Sequence, residues 1–170
     1  MEAFIVAAFE AHHAEVFAFL ARSARDRALA EDLLRETYIG LRAGAGNQPQ
    51  PAQVRGLLYR IAANLVIQRS RPQTSARRWP GRHRRRERGG IVAPSAEARG
   101  LLMEPRTDIE RALDGLSVDG RVALLLSGEG FAGDEIAAAI ARSGSATRSL
   151  LCLARARVRI RRDLFAAEGR

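Results

Sequence analysis

"DEIAAAIARSGSATRSLLCLARARVRIRR", Asp134 to Arg162, is the stretch that decides the fold. It starts as a short apolar helix, breaks at Ala141 to Ser143 and resumes as a long helix. Ser143 is placed to cap that second helix, its hydroxyl accepting from a free N–H of the first turn. At 100° per residue, Thr147, Leu150, Leu151, Ala154 and Val158 share one flank. Ser145, Arg148, Cys152, Arg155, Arg159 and Arg162 follow each other by threes and fours and line up beside it. A short helix, a tight turn and a long helix with a cationic row outline a helix-turn-helix, whose second helix enters a major groove. That groove is about 12 Å wide and admits one helix, and arginine pairs bidentately with guanine or reaches phosphate.

Upstream, "DIERALDGL" and "VDGRVALLL" read as two further short helices, so this region starts near Thr107. Before it runs "RPQTSARRWPGRHRRRERGG", with seven arginines between residues 77 and 88 and almost nothing to bury. The N-terminal part shows three amphipathic helices. Phe9, His13, Val16, Phe17 and Leu20 mark the first; Ala30, Leu33, Leu34, Tyr38 and Leu41 mark the second, capped by Asp26. "AGAGNQPQP", Ala43 to Pro51, is a loop, and Val54, Leu58, Ile61 and Leu65 mark a third helix ending near Ser70. No strand is legible. The expected architecture is all-α: a helical domain over residues 1–70, a basic flexible linker over 71–104 and a helix-turn-helix domain over 105–170.

Charge follows the same partition. The chain of 170 residues has a formal charge of +9, with 28 basic residues, all arginine. Residues 1–68 are neutral (7 Arg, 7 acids) and 69–104 carry +7 (10 Arg, 3 acids). Residues 105–141 carry −4 (3 Arg, 7 acids) and 142–170 carry +6 (8 Arg, 2 acids). Two separate basic segments suggest two polyanion contacts and favour nucleic acid. In the third helix, Gln53, Arg60, Asn64 and Arg71 fall on one flank beside the apolar stripe, with Tyr59 able to stack on a base or to pack. Asn47, Gln48 and Gln50 of the preceding loop offer further amides.

Enzymatic chemistry has no foothold here. Cys152 is the sole cysteine, so there is no internal disulfide or cysteine-based zinc site, and His12, His13 and His83 lack metal-ligand spacing with it. No catalytic constellation, cofactor motif or Gly-rich phosphate loop is present. No apolar run suggests a membrane span and the N-terminus lacks a basic leader, so a cytoplasmic location is expected.

Taken in order, these pieces resemble the extracytoplasmic-function sigma factors, the small two-domain specificity subunits of bacterial RNA polymerase. "RALAEDLLRETYIGLR" is similar to that family's polymerase-binding helix, "LLYRIAANLVIQRSR" to its promoter-reading helix, and the C-terminal segment to its helix-turn-helix domain. The resemblance implies that Ala30, Glu31, Asp32, Leu33, Glu36 and Tyr38 dock on the clamp helices of core RNA polymerase. It implies that Tyr59, Arg60, Asn64 and Arg71 face the melted minus-ten element, with the loop carrying Asn47, Gln48 and Gln50 as a pocket for a flipped base. Ser145, Arg148, Ser149, Cys152, Arg155 and Arg159 would meet the minus-thirty-five element as duplex. An anti-sigma factor is the implied regulator.

The chain departs from the family pattern at several points. Arg35 stands for the usual Gln, Leu57 for Trp and Gln68 for Asp. Ala141 and Arg142 replace a common Gly-Ile turn, and Leu150 and Leu153 replace arginines. Two other readings compete: a sigma-like decoy held by an anti-sigma partner, and a polymerase-independent helix-turn-helix regulator. The second leaves "AEDLLRETY" unexplained.

Overall fold

The computed structural model describes residues 2–44, 50–71 and 108–168. Among these residues all regular structure is helical: α1 (Glu2–Ala24), α2 (Arg27–Gly44), α3 (Pro51–Ser70), α4 (Asp108–Leu113), α5 (Val118–Gly128), α6 (Gly133–Ala139) and α7 (Gly144–Glu168). The expected linker lies outside the described residues beyond Arg71.

Local chemistry sets each boundary. Arg25 takes a left-handed conformation (φ 61°) and returns its N–H to the Ala21 carbonyl at 2.9 Å, ending α1. Asp26 Oδ1 then accepts from the Leu29 N–H at 3.1 Å and starts α2. Pro51 opens α3, where its missing N–H is no loss. Ser117 caps α5, and Gly130 (φ 88°) ends it, with Phe131 N–H on the Leu126 carbonyl and Gly130 N–H on that of Ser127. The same pair of hydrogen bonds ends α6, from the Arg142 N–H to the Ala137 carbonyl and from the Ala141 N–H to the Ala138 carbonyl. There, however, the left-handed residue is Ala141 (φ 53°), not glycine.

Helices α1, α2 and α3 form a bundle around Val16, Phe19, Leu20, Leu33, Leu41 and Leu58, all fully buried. The stripe on α1 differs from expectation. Phe9 and His13 are exposed and stack on each other with ring centroids 4.8 Å apart, while Ala8 and Phe19 are the inward residues. Helix α1 also contains a window of mean hydropathy 1.4, apolar enough for a membrane span by composition. Here its buried face packs on α2 and α3.

The sequence suggests two bodies at the ends of a tether; the structure packs them together. Helices α5 and α6 lie against α3, and α5 also against α1. Val122, Ala123, Leu126, Ile136, Ala139 and Ile140 join the core of the N-terminal bundle, while Leu113, Leu116 and Ala154 form a smaller cluster beneath α7. Helix α3 is therefore buried on a wider arc than its predicted stripe: Tyr59, Ala62, Ala63, Val66 and Ile67 are buried too.

A buried cation pins the seam. Arg121, 6% exposed, donates through Nη1 to the Ser23 carbonyl at 3.0 Å and through Nε and Nη2 to the carbonyls of Leu113 and Leu116. Ser23 and Leu113 close helices, whose C-terminal carbonyls lack intrahelical donors and attract positive charge. Burial, and then repulsion from Arg25, push the Arg121 guanidinium down to about 10, leaving it charged at neutral pH. Beside it Arg25 pairs with Asp114 at 2.7 Å.

Candidate nucleic-acid interface

The cationic row on α7 is built as the spacing requires. Ser143 Oγ accepts from the Ala146 N–H at 3.2 Å, and Thr147 Oγ1 returns a bond to the Ser143 carbonyl at 2.9 Å, fixing the first turn. Thr147, Leu151 and Ala154 are buried against the rest of the C-terminal region. Ser145, Arg148, Ser149, Cys152, Arg155, Arg159 and Arg162 are all exposed. Arg155 Nη2 donates to Ser127 Oγ at 2.9 Å. With Arg159, Arg162, Leu124 and Val158 it lines a shallow groove of about 210 Å³. Three guanidinium groups around one groove supply a field suited to an anionic backbone. Leu153 and Ile160 stand exposed on another side of α7, with Leu164 one turn further on.

On α3 the predicted line survives in part. Gln53, Arg60 and Arg71 are exposed, and so is Gln50 just before the helix. Asn64 is half-buried and spends one amide hydrogen on the Arg60 carbonyl at 2.9 Å. Tyr59 is fully buried between Phe19 and Phe131, with ring centroids 5.1 and 5.0 Å away. Its hydroxyl donates to Glu129 Oε2 at 3.1 Å, and burial followed by the Glu129 charge raises its pKa well above the ordinary value. In this arrangement no base can reach the ring. Asn47 and Gln48 lie outside the described residues.

The six residues expected to dock on polymerase split by direction. Glu31 and Asp32 are exposed and Glu36 is half-buried; Ala30, Leu33 and Tyr38 face inward and hold α2 in the bundle. Arg35 pairs with Asp32 at 2.9 Å and Arg27 with Glu31 at 3.5 Å, so the outward face of α2 carries alternating charges.

The seam between the two regions carries polar chemistry that no local motif announces. Glu129, after α5, accepts from Tyr59, from Arg55 Nη2 at 3.1 Å and from Arg22 Nη2 at 3.4 Å. Arg55 also reaches Glu15 through Nε at 3.2 Å and lies over the rings of Tyr59 (4.8 Å) and Phe131 (5.1 Å). Desolvation lowers the Arg55 pKa, but Glu15 and Glu129 outweigh it and the net shift is upward. Glu129 reads as a turn residue in "GEG", and nothing in that tripeptide signals its long-range partners. Among the described residues no group of His, Cys, Asp or Glu is arranged to hold a metal ion.

Residues 8–76 match the family model for sigma-70 region 2. The fold is similar to that of the sigma factor RpoE from Bartonella quintana, solved in complex with the anti-sigma factor NepR. The TM-score is 0.59 at 19% identity, over 94% of each chain. No curated protein sequence matches the chain.

Proposed function

We propose that this chain, whose residues 8–76 belong to the sigma-70 region 2 family and whose fold is that of an extracytoplasmic-function sigma factor, directs bacterial RNA polymerase to promoters. The observation that carries the reading is the pairing, in one chain, of a region 2 match with an exposed arginine row on a capped helix 68 residues beyond it in sequence (residues 76 and 144). Glu31, Asp32 and Glu36 on α2 present the docking face for core polymerase. Gln53, Arg60 and Asn64 on α3, with Arg71 just beyond its end, read the melted minus-ten element. Arg148, Ser149, Cys152 and Arg155 on α7 enter the duplex at minus thirty-five, with Arg159 on flanking phosphate. The protein does no covalent chemistry: it positions the polymerase and stabilises an opened strand. The RpoE complex supports an anti-sigma partner for this chain as well.

The test is direct. Purified chain mixed with bacterial core polymerase should co-elute with it and start transcripts from a selected promoter. Co-elution without initiation would make the chain a decoy, and promoter binding without polymerase would make it an independent regulator.

A further inference from the structure

The arginines of the α7 row are not held alike. Arg155 Nη2 donates to Ser127 Oγ at 2.9 Å, reaching across to the last turn of α5. Among the described residues Arg148 and Arg159 hold no such bond, and Arg162 lies 3.6 Å from its own neighbour Asp163. Arg161, outside the row, turns away to the Arg111 carbonyl at 3.1 Å. Among the described residues, then, Arg155 is the one cation of the row that a side chain of another helix orients.

The holder is itself fixed. Val122, Ala123 and Leu126 anchor α5 in the core, each no more than 1% exposed. Gly130 closes the helix in the left-handed region, and its N–H returns to the Ser127 carbonyl at 3.3 Å. Ser127 is half-buried, so its hydroxyl stands at a set height beside α7. Leu124, one turn earlier, lines with Val158 the groove that Arg155 also lines, which gives the methylene stem an apolar surface.

The choice of acceptor decides what the arginine can still do. A serine oxygen is neutral, so the guanidinium keeps its whole charge; a carboxylate would hold it as firmly and cancel the field that DNA needs. Arginine offers five N–H donors, and Nη2 gives one hydrogen to each of two forks, one shared with Nε and one with Nη1. Ser127 occupies one of those hydrogens, and the other fork stays whole for O6 and N7 of a guanine. An unheld arginine must freeze several torsions on meeting DNA, and one already oriented gives up less.

We infer that Ser127 is a positioning residue for duplex reading: it sets the Arg155 guanidinium before DNA arrives and thereby sharpens the choice of base pair. It acts through Arg155 and not by a contact of its own. The inference rests on the reading of α7 as the minus-thirty-five helix and deepens it.

The test is a double-mutant cycle on the full chain bound to core polymerase. Competition binding compares the minus-thirty-five duplex of a selected promoter with duplexes in which each base pair is replaced in turn. Ser127→Ala should lower discrimination at one base pair by about fivefold and leave affinity for an unrelated duplex within about twofold. Ser127→Thr keeps the hydroxyl and should restore discrimination. Arg155→Ala should lose discrimination at that same base pair, and adding Ser127→Ala to it should change nothing further. Ser127→Asp should weaken binding to every duplex and make its salt dependence shallower by about one phosphate. Full discrimination in Ser127→Ala, beside a loss in Arg155→Ala, overturns the positioning role. A Ser127→Ala loss that persists in the Arg155→Ala background overturns it too, because a general disturbance of α5 would act in both. If Arg155→Ala leaves duplex reading intact, the assignment of Arg155 to the duplex fails and the role of Ser127 falls with it, while co-elution with polymerase still decides the sigma-factor reading.

Discussion

Ala141 shows how much one dihedral angle can reveal. It closes α6 in the left-handed region, where an L side chain crowds the following carbonyl and glycine does not. The hydrogen bonds from Ala141 and Arg142 back into α6 are those of a glycine-closed helix, so the turn is kept at a conformational cost. Ala141→Gly should therefore stabilise the protein by about 0.5–1 kcal/mol, the relief of strain exceeding the added freedom of the unfolded chain. Urea unfolding would check it, and a lower midpoint would show that the turn is unstrained. The sequence exposes this position as a break between two helical segments, but it does not expose the angle. Tyr59 is the opposite case. Its sequence neighbours leave stacking and packing equally open, and only the positions of Phe19 and Phe131 decide for packing.

At the scale of elements, legibility follows the periodicity. Helices α5, α6 and α7 and the Ser143 cap are readable because short amphipathic segments separated by turn residues leave few alternatives. The single stripe on α3 misleads because the helix packs on two sides, and a second apolar face looks like variation in a long buried segment. Two substitutions divide the proposed labour between elements. Arg148→Ala, at an exposed position on the first turns of α7, should reduce minus-thirty-five discrimination by about 1–3 kcal/mol and leave polymerase binding intact. Competition binding with matched and mutated duplexes in the polymerase complex measures it; a uniform loss across sequences would assign Arg148 to phosphate. Asp32→Arg reverses a charge on the outward face of α2, away from the seam. It should abolish co-elution with core polymerase while shifting stability by no more than about 0.5 kcal/mol, as surface changes do. Retained co-elution would move the docking face elsewhere.

The whole molecule was the least legible level, because charge segregation and a basic tether predict separate bodies while the contacts that join them are scattered through the sequence. Ser23, Arg55 and Tyr59 meet Arg121, Glu129 and Phe131 across separations of 70 residues and more, beyond any local pattern. This seam gives the fold a definite response to alkali. Burial, then the Glu15 charge, pushes Tyr38 up to about 12, and burial with Glu129 raises Tyr59 as well. A tyrosine in the unfolded chain ionises near 10. Between those values the unfolded chain has released protons that the native protein still holds, so stability is full below about pH 10 and falls as pH rises. Arg121, pushed down to about 10, acts with the opposite sign in the same window, since there the unfolded chain holds the proton more tightly. Two tyrosines oppose one arginine, so the net effect across that interval should be a loss of stability as pH rises. Urea unfolding at about pH 9 and about pH 11 measures the fall, and phenolate absorbance identifies its source. Tyr59→Phe removes one of the two tyrosine contributions and should flatten the profile. A wild-type stability that holds level or rises across that interval would mean that these hydroxyls titrate as freely in the native protein as in the unfolded chain.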